Sequence, residues 1–201
     1  MTVFFLLLML ATAMYVLRKK EERKRIVLLA SHLGQYQIEK LMEDLSQGYL
    51  RALGTEDLQR RGLIWEQMKN LEIKLGEQFV QFSVGFSGVD EAATRISKLP
   101  VSFFLVEQFF PTLTFDFRKV LALHASAIDQ AVHSSAESSA KSHAFNLSAE
   151  LFLMQHSCHW FCKSKATASA RLLLRHRTTY QQVLAAVSAD TRRAYLQLIG
   201  R

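Results

Sequence analysis

The sequence predicts an all-α protein: a single N-terminal transmembrane helix followed by a helical bundle with a long C-terminal helix. Three observations carry this. Only two prolines and eight glycines occur in 201 residues, so little in the chain breaks a helix. From Ile26 onward apolar residues recur mostly at spacings of three and four, the period of one helix face. Val3–Leu17 (VFFLLLMLATAMYVL) has Thr12 as its one polar side chain.

Taken as a helix, Val3–Leu17 is about 22 Å long, short for a bilayer core of about 30 Å. Lysine and arginine that follow such a run can snorkel to the interface and make up the difference. Two readings compete with an anchor. Ala11-Thr12-Ala13 has the small-x-small form of a signal-peptide cleavage site, but the positive charge follows the apolar run instead of preceding it. A buried core helix would need partners on every side. The positive-inside rule gives an N-terminus outside and a cytoplasmic C-terminal domain. The expected organisation is a transmembrane anchor at 1–17, a basic juxtamembrane segment at 18–25 and a helical cytoplasmic domain at 26–201, with a subdivision near 134–143.

Ile26 to Leu53 is expected to continue the anchor helix, with Gly54 as its stop and Thr55 as the N-cap of the next. That next helix places Ile64, Met68, Leu71, Leu75, Phe79, Phe82 and Phe86 on one face. Residues 79–87 also alternate as a strand would, and helix is the preferred reading. Ser87-Gly88 interrupts the chain, and Asp90 is expected to cap a short helix reaching Lys98. Val101–Phe110, with Phe103, Phe104, Phe109 and Phe110, is too short to span a bilayer, carries Glu107, and is expected in the core. A helix is expected from Thr112 through Val120, Leu121, His124 and Ile128. After the serine-rich stretch Ser134–Ser142, a stripe from Leu147 to Val187 steps by three or four for about forty residues. Lys165, Ser169 and His176 fall within it, and polar groups in a seam need partners. Asp190 is expected to cap a final helix.

The net charge of +7 is uneven. Arg18–Arg25 holds six bases and two acids, Ile26–Cys162 eleven and fifteen, and Lys163–Arg201 eight and one. Arg18, Lys19, Lys20, Arg23, Lys24 and Arg25 are the candidate contacts to a membrane surface. Lys165, Arg171, Arg175, Arg192 and Arg193 form a candidate anion-binding face. No helix-turn-helix or RNA-binding motif accompanies them, which argues against nucleic acid as the partner.

The segment HSCHWFC supplies His156, Cys158, His159 and Cys162 as candidate metal ligands. One helical turn supplies two or three ligands where a zinc site needs four, and the spacing matches neither a zinc-finger pair nor a haem attachment. Cysteines as small hydrophobes in a bundle are the plainer reading, and no cofactor is assigned. Nucleotide-binding, serine-hydrolase and zinc-protease motifs are absent from the sequence, which disfavours an enzyme. The expected function is a membrane-anchored helical binding or scaffold protein presenting a bundle to a protein partner. The alternatives are a metal- or haem-binding sensor built on His156–Cys162 and a membrane-tethered nucleic-acid binder using the C-terminal bases.

Overall fold

The computed structural model of the protein describes residues 2–100, 110–134 and 139–200. Among these, nine α-helices and one two-stranded ribbon account for the regular structure. The all-α bundle expected from the sequence is what forms.

The first helix, α1 (Thr2–Leu33), runs through both boundaries drawn at residues 17 and 25. At 1.5 Å per residue it is about 48 Å long. It is long and apolar enough to cross a membrane, and none of its most apolar window is buried against the bundle. Val3 and Met9 are about 70% exposed. Thr12 returns its hydroxyl proton to the Leu8 carbonyl at 2.8 Å, which hides the one polar group of the run. The last third of α1 docks through Leu29, with Leu28 and Leu33 behind it. The helix ends at Gly34, not at Leu53. The turn at 34–37 lets Tyr36 meet Phe82 edge-on and sends α2 (Ile38–Leu53) back along α3 (Leu58–Ser87).

The cap of α3 is Asp57, two residues later than the expected Thr55. Asp57 accepts from the amides of Gln59 and Arg60, while the Thr55 hydroxyl is turned back to the Arg51 carbonyl. Residues 79–87 are helical: Phe79, Phe82 and Phe86 fall on one face and all three are buried. Gly48 is where α2 and α3 approach, because a Cβ there would collide with the Met68 sulfur.

Asp90 caps α4 as expected, but α4 (Glu91–Thr94) stops well short of Lys98. Arg95–Ser97 is instead β1, paired antiparallel with β2 (Thr114–Asp116) in the register Arg95 to Asp116, Ile96 to Phe115 and Ser97 to Thr114. The expected helix from Thr112 therefore begins five residues late, as α5 (Phe117–His133), capped by Asp116. The apolar residues Phe103, Phe104 and Phe109 lie outside the described residues. Phe110 is exposed.

The Leu147–Val187 stripe spans three helices: α6 (Ala140–Cys162), α7 (Lys165–His176) and α8 (Tyr180–Ala186). Ser164 ends the first run by capping the second, accepting from the Thr167 amide, and Thr179 with Gln182 forms a capping box for the third. The cap of α9 (Ala189–Leu198) is Ser188, with Asp190 in its first turn. The polar residues of the stripe all find partners. Lys165 sits over the rings of Trp160 and Tyr180, Ser169 meets His156, and His176 stacks on Phe152.

The core joins α3, α5 and α6. Phe117 and Phe161 stack at 4.5 Å, and Phe86 presents its edge to both. α2 covers α3, α7 and α8 cover α6, and α9 lies on α5. Between α2 and α6 few residues touch, and the bundle is open on that side.

Candidate functional site

The opening between α2 and α6 is a cleft of about 1170 Å³. Its floor is apolar, with Met42, Phe79, Phe82 and Met154, all buried side chains. One end is walled by α1 through Ile26, Leu29, Ala30 and Leu33, a few residues beyond the apolar run. The same end carries Arg171 and Arg175 of α7 and Lys163 of the α6–α7 corner, since Arg171 bonds His159 while Arg25, next to Ile26, lies over Phe161 in the same last turns of α6. A second hollow of about 370 Å³ lies between α6 and α7. It shares Gln155, His159, Arg171, Arg175 and His176 with the cleft and adds His156.

Amphipathic periodicity builds this arrangement. The apolar stripe of α2 (Ile38, Leu41, Met42, Leu45, Tyr49) meets α3 on one flank, while Leu50 and Leu53 stay exposed along the cleft. In α7 Ala168 and Leu172 are buried, and Arg171 and Arg175, three residues on from each, lie at the exposed edge of that face.

The four candidate metal ligands do not converge. His156 places Nε2 3.1 Å from Ser169 Oγ and stacks on Tyr180 at 4.5 Å, away from the cysteines. His159 accepts from Arg171 through Nδ1 at 3.1 Å, so its imidazole is neutral. Burial, and then Arg171, Arg175 and other nearby cations, push its pKa down to about 4. Cys158 lies 3.7 Å from the Met154 sulfur and Cys162 one turn further along. Burial raises both thiols, Cys162 to about 11, so at neutral pH they are protonated thiols and poor ligands. Among the described residues no group of three or more His, Cys, Asp or Glu side chains is placed to hold a metal ion. Cys158 and Cys162 are half-buried against the core and line the cleft.

The five candidate anion-binding bases also separate. Only Arg171 and Arg175 lie together at the cleft. Lys165 spends its charge on two aromatic rings at 4.9 and 4.8 Å, and this removes it from the face. Arg192 and Arg193 are on α9, where Arg193 pairs loosely with Asp190 at 3.5 Å.

Of the juxtamembrane bases, Lys19, Lys20, Arg23 and Lys24 are exposed and Arg18 half-exposed. Arg25 is not a surface residue. It is 5% exposed, donates to the Arg95 carbonyl at 3.1 Å and lies over the Phe161 ring at 5.6 Å. Its carboxylate neighbour Glu22 is buried too, bound by Arg18 and Lys19 at 3.1 and 2.9 Å. The octet is therefore partly a docking joint: it ties α1 to the β-ribbon and to α6.

Three buried polar groups escaped the sequence reading. Glu72, 3% exposed, accepts from Tyr49 Oη at 2.6 Å and from His143 Nε2 at 2.7 Å, linking α2, α3 and α6. The signal was present, since Glu72 is the one acid in the apolar stripe between Met68 and Leu75. His124 Nε2 is 2.9 Å from Ser157 Oγ, whose own proton goes to the Leu153 carbonyl. This serine–histidine pair is sealed in the core, and His124 Nδ1 meets no hydrogen-bond partner, so it has neither the access nor the orienting acid of a nucleophile. Glu150 accepts from the Ser188 amide at 3.0 Å at the start of α9, and burial raises its pKa.

No protein-family profile, no curated protein and no solved structure matches this chain.

Proposed function

We propose that the chain is a membrane-anchored helical binding protein, in which α1 crosses a bilayer and the bundle is presented to a protein partner on the cytoplasmic side. The observation that carries this is the exposure of α1: none of Val3–Leu17 is buried, yet the same helix is locked into the bundle from Glu22 onward. Fourteen apolar residues left in water would be costly, and a bilayer removes that cost. The bases that follow favour a cytoplasmic bundle. Because the helix is unbroken and Arg25 is fixed to the Arg95 carbonyl, the bundle is held close to the surface without a flexible linker. Lys19, Lys20, Arg23 and Lys24 then lie at headgroup level, at roughly 1 kcal/mol each against an anionic leaflet.

The partner surface fits the opposite end. Phe86 of α3 packs against His32 of α1, and the start of α3 is about 45 Å away along its axis. There Leu50, Leu53, Leu58 and Leu63 are each at least half exposed, an apolar set suited to a protein contact.

Alkaline extraction of membranes tests the anchor. The full chain should stay in the pellet, and Leu7→Arg with Leu8→Arg, at positions more than half exposed, should release a folded protein. A wild type that is released, or a mature N-terminus at Met14, refutes the anchor. For the partner, Leu58→Glu with Leu63→Glu should leave membrane retention intact and abolish cross-links from residue 58. Persistent cross-links would place the contact elsewhere.

A further inference from the structure

We propose that the cleft between α2 and α6 holds an anionic acyl lipid drawn from the adjoining membrane, with its tail on the apolar floor and its phosphate between Arg171 and Arg175. This rests on α1 being the membrane anchor and goes beyond the protein-partner surface at the far end.

Four observations converge. The cleft is large for a small-molecule site, where ~300–1,000 Å³ is usual, and its floor is apolar, which suits a chain more than a compact polar ligand. Its two methionines, Met42 and Met154, adapt to a flexible occupant. One wall is the anchor helix itself: Ile26 is nine residues past Leu17, about 14 Å along the axis. A tail leaving the bilayer beside α1 therefore meets Ile26, Leu29 and Leu33 next. The same end carries positive charge, because Arg171 bonds His159 while Arg25, next to Ile26, lies over Phe161. Between Leu151 and Ala189 the chain has five Lys or Arg and no Asp or Glu, and Arg171 has a neutral histidine, not a carboxylate, as its hydrogen-bond partner.

The smaller hollow behind the two arginines gives a head group room. It is lined by Gln155, His156, His159 and His176 as well as the arginines, and among the described residues the buried His156 Nδ1 has no hydrogen-bond partner. Two guanidiniums one turn apart suit phosphate oxygens. An amphipathic helix from another protein would cover the apolar floor but would leave the hollow between α6 and α7 unfilled, so the lipid is the better fit.

The test reconstitutes the full chain in phosphatidylcholine vesicles carrying a trace of phosphatidic acid with a photoactivatable acyl chain. After flotation and illumination, adducts are mapped to peptides. Adducts should appear on the cleft segments of α2 and α6 as well as on Thr2–Leu17. Arg171→Glu with Arg175→Glu should reduce the cleft adducts at least tenfold while leaving those of the anchor unchanged. Arg192→Glu with Arg193→Glu, away from the cleft, should change neither. Intrinsic fluorescence of Trp160 checks that each variant is folded. Adducts confined to Thr2–Leu17, equal cleft labelling by a photoactivatable phosphatidylcholine, or labelling indifferent to the arginines overturns the proposal while leaving the anchor standing. A protein that fails to float takes both down. If a Leu/Glu amphipathic helical peptide binds the reconstituted protein and neither lipid labels the cleft, the occupant is a protein helix and the lipid assignment falls.

Discussion

Acidification should unfold this bundle through two imidazoles that it keeps neutral. His124 and His156 are both at most 1% exposed, and burial pushes each pKa down to about 3, with Lys165 adding to the shift at His156. An unfolded histidine titrates near 6.5. The folded state therefore binds fewer protons than the unfolded state between these values, and stability falls as pH drops below 6.5. At pH 5.0 the gap of about 1.5 units below the unfolded pKa is worth about 2 kcal/mol per histidine, or about 4 kcal/mol for the pair. That is a large part of the 5–15 kcal/mol typical of a domain. The assay is urea unfolding of the full chain in uncharged detergent at pH 7.5 and 5.0, followed by the fluorescence of Trp160, which is 2% exposed and donates to the Ser97 carbonyl. Glutamine places an amide near the Nε2 position, so His124→Gln keeps a group for Ser157 and His156→Gln one for Ser169. Each should lose stability at pH 7.5 and each should remove about 2 kcal/mol of the acid sensitivity. The comparison between variants cancels every other titrating group, including Glu150, whose raised pKa acts in the opposite direction. An unchanged pH dependence in both variants would refute the reasoning, because it would mean that the folded protein accepts those protons.

The Glu72–His143 contact predicts the reverse sign. Glu72 raises the pKa of His143, so its stabilisation is present below about pH 6.5 and is lost as pH rises through the folded pKa; His143→Gln should flatten that loss in equilibrium unfolding between pH 6 and 8. Gly48→Ala forces a methyl against Met68 and should cost about 1–3 kcal/mol, with Met68→Ala relieving part of the penalty in the double variant. Leu151→Asp and Leu172→Asp each place a carboxylate at a position no more than 4% exposed. Both should cost about 3 kcal/mol or more, read as loss of cooperative unfolding. A Leu172→Asp variant as stable as wild type would show that α7 is not part of the core.

What periodicity and composition could see, they saw: the apolar run and the faces of α2, α3 and α5. What they could not see are corners at which the period continues. Phe161, Lys165 and Ser169 step by four across the break at Lys163–Ser164, so a count of spacings passes through it. Its local mark is the Ser164–Thr167 cap, and the expectation of one long helix overrode it. The same blindness divided the bases wrongly. Arg25 looked like one of six equivalent charges because its partners, the Arg95 carbonyl and the Phe161 ring, are 70 and 136 positions away in the chain. Lys165 looked like part of an anion-binding stripe with Arg171, but the corner before α7 sets it over Trp160 and Tyr180. Arg171 and Arg175, one turn apart and beside the buried Ala168 and Leu172, are left at the mouth of the cleft. The long-range fold thus sorts the basic residues into three roles that local sequence cannot separate: a joint that fixes the anchor helix, a cation resting on aromatic rings, and a pair of guanidiniums facing an apolar cleft. The last faces the cleft with no carboxylate bonded to it among the described residues, so an anion fits there better than a metal ion fits HSCHWFC.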